Sequence, residues 1–398
     1  MTSARPKVLI GFAGALAAPE VAWSLLDAGF EVHGIRRRGV KPPLNASRAV
    51  QLHDITSPSE DVDAAVTELE ALIESVAPDV VMPLDDAAVW LCDRAALPET
   101  VKLAGPTGDR VALALDKRRQ MGAALMAGFD VPPSRVFETP ELPLSPDPAF
   151  PVMVKPSLAI ERHDGRLTTG AKRACADQAE LRSVLRSFPA GMSFFLQPYV
   201  AGVGEGLFGV ARHGEVKCWS AHRRVRMMSP AGSGSSACAP APLDPALLEA
   251  ASAFIEAAEW DGLFMIELLR DEDGRPWFVE LNGRAWGSMA LARRMGFEYP
   301  AWAVSSVLDE RFEPPAPAPR EPVVCRHLGR ELVHLLIVLR GRHSAAIRTW
   351  PTRHRTARDI LRIGRSDRWY NLRRGELPLF VYDSVRTVFR EVRKALGL

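Results

Sequence analysis

The stretch Met265-Ile266-Glu267-Leu268-Leu269, followed after a polar turn by Trp277-Phe278-Val279-Glu280-Leu281-Asn282, decides how this 398-residue chain is read. Asp271-Glu272-Asp273-Gly274 lies between the two apolar runs, so the segment predicts a β-hairpin over residues 263–270 and 276–281. Side chains alternate along a strand, which sets Ile266 and Leu268 on one face and Met265, Glu267 and Leu269 on the other. On the partner strand Trp277, Val279 and Leu281 share a face, and Phe278, Glu280 and Asn282 share the opposite one. Pairing brings the two carboxylates to roughly 5 Å. Like charges that close, among apolar neighbours, are costly unless one is protonated or a cation lies between them. Two Glu and an Asn oxygen form a hard, all-oxygen set suited to Mg²⁺ or Mn²⁺. A solvent-facing hairpin edge with incidental acids is the alternative, and the apolar neighbours count against it.

Outward from the hairpin, Asn282-Gly283-Arg284 opens into a helix over residues 288–295, and Arg284 could hold a carboxylate or phosphate with its planar fork or pair with one of the two acids. Upstream, residues 111–128 and 178–187 predict helices, 151–155 and 193–200 strands, 206–211 and 216–221 two more strands, and 245–258 a helix. Lys155 ends an apolar strand. His222, Arg223, Arg224 and Arg226 follow another, as carboxylate holders or as a solvated basic turn, and Ser233–Ser236 with Gly232 and Gly234 read as an acceptor-site lining or a flexible stretch.

The first hundred residues alternate strands (7–10, 30–35, 79–83) with helices (19–28, 62–76, 87–96), which implies βαβ units and a parallel sheet. The apolar start imitates a short secretory signal, but its pattern continues smoothly into a second strand. Gly11 and Gly14 lack the third glycine of a dinucleotide turn, and Arg36-Arg37-Arg38 stands where a ribose-binding acid would be.

Composition is that of a globular protein, 47% hydrophobic and 25% charged. Five scattered cysteines suggest neither a disulfide framework nor a zinc site, which points to a reducing, cytoplasmic setting. No apolar run approaches the ~20 residues of a membrane span. The whole-chain charge is +2, yet residues 320–398 hold eighteen Lys/Arg against seven Asp/Glu, a net +11 that leaves −9 for the rest. Five prolines from Pro314 to Pro322 mark a stiff linker before this basic, mainly helical region. Its apolar run 332–339 predicts a helical cap on the body, with peripheral contact to an anionic membrane as the alternative. No aromatic interleaving supports nucleic-acid binding.

Lys117, Lys155, Gln197-Pro198-Tyr199-Val200, Glu205, Glu267, Glu280, Asn282 and Arg284 together resemble the ATP-grasp superfamily, the fold of carboxylate–amine ligases. The likeness spans about residues 1–310. It implies an α/β architecture: an N-terminal parallel-sheet domain (1–105), a two-subdomain ATP-grasp unit (106–312), the linker (313–322) and the basic helical region (323–398). It also implies ATP and Mg²⁺ (or Mn²⁺) as cofactors and small-molecule carboxylate and amine substrates joined through an acyl phosphate, with a homo-oligomer compatible. A bicarbonate-activating enzyme and a non-catalytic nucleotide-binding protein are the alternatives. By the resemblance, Lys117 and Lys155 touch phosphates, with Lys155 and Arg284 catalytic. Gln197, Tyr199 and Val200 read adenine between Met153 and Leu269, and Glu205 lies near the ribose. Glu267, Glu280 and Asn282 ligate metal, and Arg284 holds substrate; Arg223 is a substrate-binding candidate from its place in the basic segment. The loop 157–170 holds only Gly165 and Gly170, where the superfamily has a glycine-rich phosphate loop. A general base is not identifiable.

Overall fold

The computed structural model describes residues 5–140, 148–232, 234–318, 320–342, 344–347 and 349–396. Ser233 and Pro319 lie outside the described residues. The chain builds a parallel-sheet α/β domain, a small antiparallel subdomain, a large central sheet and a mainly helical C-terminal region.

The first sheet has the order β3-β2-β1-β4-β5, all parallel: β1 (Lys7–Gly11), β2 (Glu31–Arg37), β3 (Gln51–Ile55), β4 (Val80–Pro83) and β5 (Lys102–Leu103). The apolar run at the start of the chain is its buried central strand. Helices α1 (Ala18–Asp27), α2 (Val62–Val76) and α3 (Asp86–Arg94) are the crossovers. Strands β3 and β5 escape the sequence pattern because one is polar and the other is two residues long.

The expected helix over 111–128 is two helices, α4 (Asp109–Leu115) and α5 (Lys117–Met126). Asp116 breaks it: its extended backbone lets its carboxylate accept from the Arg118 and Arg119 N–H groups. An aspartate prefers this capping role to a helix interior. The Gln120 side chain then donates to three backbone carbonyls, among them Leu281, and accepts from Leu281 N–H, fastening α5 to the hairpin.

The small subdomain is the sheet β10-β7-β11-β6, with β6 (Arg135–Phe137), β7 (Val152–Pro156), β10 (Arg173–Cys175) and β11 (Phe194–Pro198), backed by α6 (Gln178–Leu185). It has its own core of Val152, Val154, Leu181, Leu185, Phe194 and Leu196. The glycine-poor loop is a second hairpin, β8 (Glu161–His163) and β9 (Arg166–Thr168), turned by Asp164 and Gly165 at positive φ. It rests on the N-terminal domain: Val62 N–H donates to Gly165 O (2.9 Å) and Leu167 N–H to Pro58 O (2.7 Å).

The central sheet includes β12 (Val203–Arg212), β13 (Glu215–Met227), β14 (Ser235–Pro240), β15 (Gly262–Arg270) and β16 (Pro276–Asn282), with α7 (Pro245–Ala257) packed against it. The basic segment after position 221 is thus part of a long strand and not a turn. Following β16, α8 (Met289–Arg294) and α9 (Tyr299–Leu308) join the two large sheets, since Trp23 of α1, Phe208 of β12, and Tyr299 and Trp302 of α9 share one apolar cluster.

Beyond the Pro-rich stretch, β17 (Val324–Arg326) pairs with β14, and β18 (Asp367–Trp369) pairs in parallel with β17, extending the central sheet. Helices α10 (Leu328–Arg340), α11 (Arg353–Leu361) and α12 (Leu377–Leu396) complete the region. The apolar run of α10 is divided: Val333, His334 and Val338 are buried, whereas Leu332, Leu336 and Leu339 are exposed. No described helix is long and apolar enough to cross a membrane. Glu331 is fully buried and accepts from both Arg226 of β13 and Arg326 of β17. Glu331→Ala leaves two guanidinium groups without their shared anion and should lower the unfolding free energy by about 3–5 kcal/mol, read from the urea midpoint.

Candidate active site

The hairpin β15–β16 places Glu267 and Glu280 directly opposite each other. Its register slips at this point, so that Leu268 faces Phe278 and Val279 is left unpaired. This bulge corrects the expected face assignment. Phe278 turns into the core with Leu281, while Val279 and Glu280 turn to the cleft beside the sheet. A bulge re-aims side chains in this way. Asn282 ends the strand buried, and Gly283 follows because a Cβ there would fall 2.7 Å from the Trp260 ring.

The two carboxylates are balanced by different partners. Glu280 is held by Lys117 (3.4 Å), the first residue of α5, and by Lys172 (3.1 Å), just before β10. Glu267 is paired with Arg224 of β13 at 2.6 Å. Burial alone would raise the Glu280 carboxyl; Lys172, Lys117 and Lys155 outweigh it and hold it well below the usual carboxylate range. Burial lowers both Lys117 and Lys155, the latter to about 8, partly offset by Glu280. Lys172 moves the other way, raised chiefly by Glu280. The sequence reading missed Lys172 and named Arg224 only as a carboxylate holder. Lys172 lies in a charged stretch with no motif of its own.

Two cavities meet at these acids. One, about 530 Å³, lies between the small subdomain and the central sheet. Its walls include Met153, Lys155, Gln197, Tyr199, Val200 and Leu269, all expected there, together with Lys172, Glu267 and Glu280. Two expected donors are already engaged. The Gln197 side-chain amide donates to Ser134 Oγ (2.7 Å), and Tyr199 N–H donates to Pro151 O (3.0 Å). Ser344, Ile347 and Thr349 of the C-terminal region also line this cleft, and Ser344 Oγ donates to Glu180 of α6.

The second cavity, about 340 Å³, lies between the N-terminal domain and the central sheet. Glu267, Glu280, Asn282, Arg284 and Arg223 are on its walls. Glu205 is here as well, paired with Arg270 (2.9 Å), and not in the larger cleft where a ribose contact was expected. Arg284 pairs with neither hairpin acid. Its Nε donates to Asp86 at the start of α3 (2.9 Å), across the domain boundary. His222 is buried, hydrogen-bonded through Nδ1 to Ser288 Oγ (3.0 Å) and lowered by burial to about 3, so it stays neutral near neutral pH.

Glu267 and Glu280, on the walls of both cavities, and the Asn282 amide, on the wall of the smaller one, supply an all-oxygen donor set that fits a hard divalent cation. Among the described residues no cluster of three or more His, Cys, Asp or Glu side chains is arranged to hold a metal.

Comparison with known proteins bears on the fold. Residues 210–329 match the model of an ATP-grasp family described as acting in a biosynthetic pathway with the Ter operon. An L-amino acid ligase from Bacillus licheniformis superposes with a TM-score of 0.60 at 17% identity, covering 81% of this chain and 80% of that one. The biotin carboxylase domain of the Hydrogenobacter thermophilus 2-oxoglutarate carboxylase, a dimer solved with MgADP, ADP and bicarbonate, gives 0.57 at 16%, covering 80% and 73%. An N5-carboxyaminoimidazole ribonucleotide synthetase solved with ADP gives 0.59 at 15%, covering 90% and 98%. This chain has the ATP-grasp fold. No curated protein matches it by sequence.

The electrostatics of this ATP-grasp site are testable without any ligand. Competitive acetylation followed by mass spectrometry should show Lys155 reactivity rising through about pH 8, against about 10.4 for ordinary lysines. Glu280 favours the charged amine, so Glu280→Gln should move that inflection to lower pH.

Proposed function

We propose that the protein is an ATP-dependent ligase that joins a carboxylate to an amine through an acyl-phosphate intermediate, releasing ADP and phosphate. The observation that carries this reading is the meeting of two cavities at one pair of acids. The larger cleft has apolar residues Met153 and Leu269 for a base and Lys155 and Lys172 for phosphates. The smaller has Arg284, Arg223 and apolar walls for an acid. In this reading, Glu267, Glu280 and Asn282 hold magnesium or manganese, which supplies neutralisation of the polyphosphate charge.

A carboxylate is a poor electrophile because its charge repels nucleophiles. Transfer of the γ-phosphoryl group makes one oxygen a leaving group, and attack by an amine then breaks that C–O bond and releases phosphate. The chain's part is positioning and charge balance. Lys117, Lys155 and Lys172 converge on Glu280, where the phosphates would lie beside them. Arg284, oriented by Asp86, presents its guanidinium to the cavity in which the acid would be held. The similarity to an L-amino acid ligase supports amide formation, and two of the structural relatives named above handle carboxylation, so bicarbonate is the competing first substrate. The apolar walls formed by Phe208, Met265 and Trp286 favour an organic acid.

A screen of carboxylates and amines for Mg²⁺-dependent ADP release tests the proposal. An active pair should release ADP only when both are present, and Glu280→Gln should lower the rate by ~10²–10³-fold. ADP release with bicarbonate alone would replace the reading, and no release with any mixture would remove it.

A further inference from the structure

The smaller cavity has four carboxylates on its walls, and each has a cation of its own. Asp85 is paired with Arg37, Glu205 with Arg270, Glu267 with Arg224, and Glu280 with Lys117 and Lys172. Of the four arginines on the same walls, Arg224 and Arg284 are spoken for by Glu267 and Asp86. That leaves Arg223 and Arg330, for which no carboxylate lies within salt-bridge distance among the described residues.

Arg330 is the more telling of the two. It comes from the first turn of α10, just past residues 210–329, which match the family model. Its Nη1 donates to the Ser235 carbonyl (3.0 Å), and a Cβ on Gly234 would fall 2.8 Å from that nitrogen, so the guanidinium meets this part of β14 and its approach through Nη1. Its Nε is buried without a hydrogen-bond partner. Burial pulls the group down to about 10, as expected of a desolvated cation lacking a close anion. A guanidinium whose Nε is buried without a partner is costly to keep charged, and a bidentate carboxylate or phosphate is what its geometry accepts. The same walls carry apolar side chains, with Phe208 and Trp286 in ring contact and Met265 and Leu16 also lining the cavity.

We infer that the organic acid bound in this cavity carries a second anionic group, separated from the activated carboxylate by a short apolar spacer, and that Arg330, with Arg223 at the rim, holds that group. The identity of the ligand as the activated acid rests on the ligase reading; the anion site itself does not. Arg330 acts here as a specificity residue supplied by the C-terminal region.

The test is calorimetric binding of linear α,ω-dicarboxylic acids, from succinate to suberate, each against the monocarboxylic acid of equal length and the corresponding ω-phosphono acid. Titrations are run on the full chain with and without MgADP. At least one diacid or phosphono acid should bind roughly tenfold or more tightly than its monoacid, the range of a charged hydrogen bond. The better of the two series names the group as carboxylate or phosphoryl. In Arg330→Met that ratio should fall to near one, and Arg330→Lys should restore part of it, a rescue that general loss of structure would not give. Near-ultraviolet circular dichroism checks that each variant is folded. Equal affinity for monoacids and doubly charged acids, no binding of any acid with or without MgADP, or an undiminished ratio in Arg330→Met would overturn the inference. Selective binding of diacids by a protein that releases ADP with no acid would overturn the ligase reading and leave the anion site standing.

Discussion

A single buried carboxylate sets the terms for the rest of the molecule. Glu280 collects Lys117 from the start of α5 and Lys172 from the strand approach of the small subdomain, with Lys155 of β7 close enough to act on its charge. Removing an ion from water costs several kcal/mol unless partners surround it. Three ammonium groups could not share so small a space without an anion between them. Each group therefore requires the others, and their requirement fixes how the helix pair, the small subdomain and the hairpin meet. The Gln120 staple to Leu281 and the bulge at Val279 serve the same end, one anchoring the strand and the other turning Glu280 toward the lysines.

Much of this was legible in the sequence because period-two alternation survives wherever one face of a strand is buried. The hairpin and the opposed acids came through for that reason, and the N-terminal elements because continuous apolar runs alternate there with helical patterns. The bulge did not, since a bulge built around Val279 leaves no compositional mark. Asp116 left a mark, a good capping residue, but the apolar pattern ran across it unbroken and concealed the helix break. Lys172 sits in Gly170-Ala171-Lys172-Arg173, where nothing distinguishes a site lysine from a solvated one. The hairpin in 157–170 was hidden by its charge. Its strands are three residues each and draw their order from the N-terminal domain rather than from their own pattern.

The C-terminal region shows why net charge is a weak guide to role. Its excess of arginine suggested a helical cap with solvated arginines, or contact with an anionic membrane as the alternative, yet several of the charges point inward. Arg326 is buried between Glu331 and Asp367, and His327 faces Asp383. Buried ion pairs are poor evidence of stability, because desolvation consumes most of their attraction. What they do well is fix geometry, since a displaced partner leaves a bare charge behind. Here they tie β17, which pairs with β14, to β18 and to the first turn of α10, which carries Arg330 on the wall of the smaller cavity.

The same economy of charge links the two cavities. Glu267 and Glu280 belong to both sets of walls, and their present counter-ions are side chains that reach in from several elements. An anion entering the larger cleft competes with Glu280 for Lys172. An anion entering the smaller one competes with Glu267 for Arg224. Either event changes the field felt at the opposite site, because the carboxylates are adjacent in register and shielded from bulk water. Coupling of this kind is reciprocal, each occupant altering the affinity for the other by the same factor. Its sign depends on whether a cation joins the pair. Without one, releasing either carboxylate from its partner leaves two neighbouring negative charges to repel, so the sites oppose each other. Were Glu267 and Glu280 to hold a divalent ion, the ammonium and guanidinium groups would be free to meet incoming anions, and the sites would assist each other. The acid pair would then make metal the condition for filling both cavities at once.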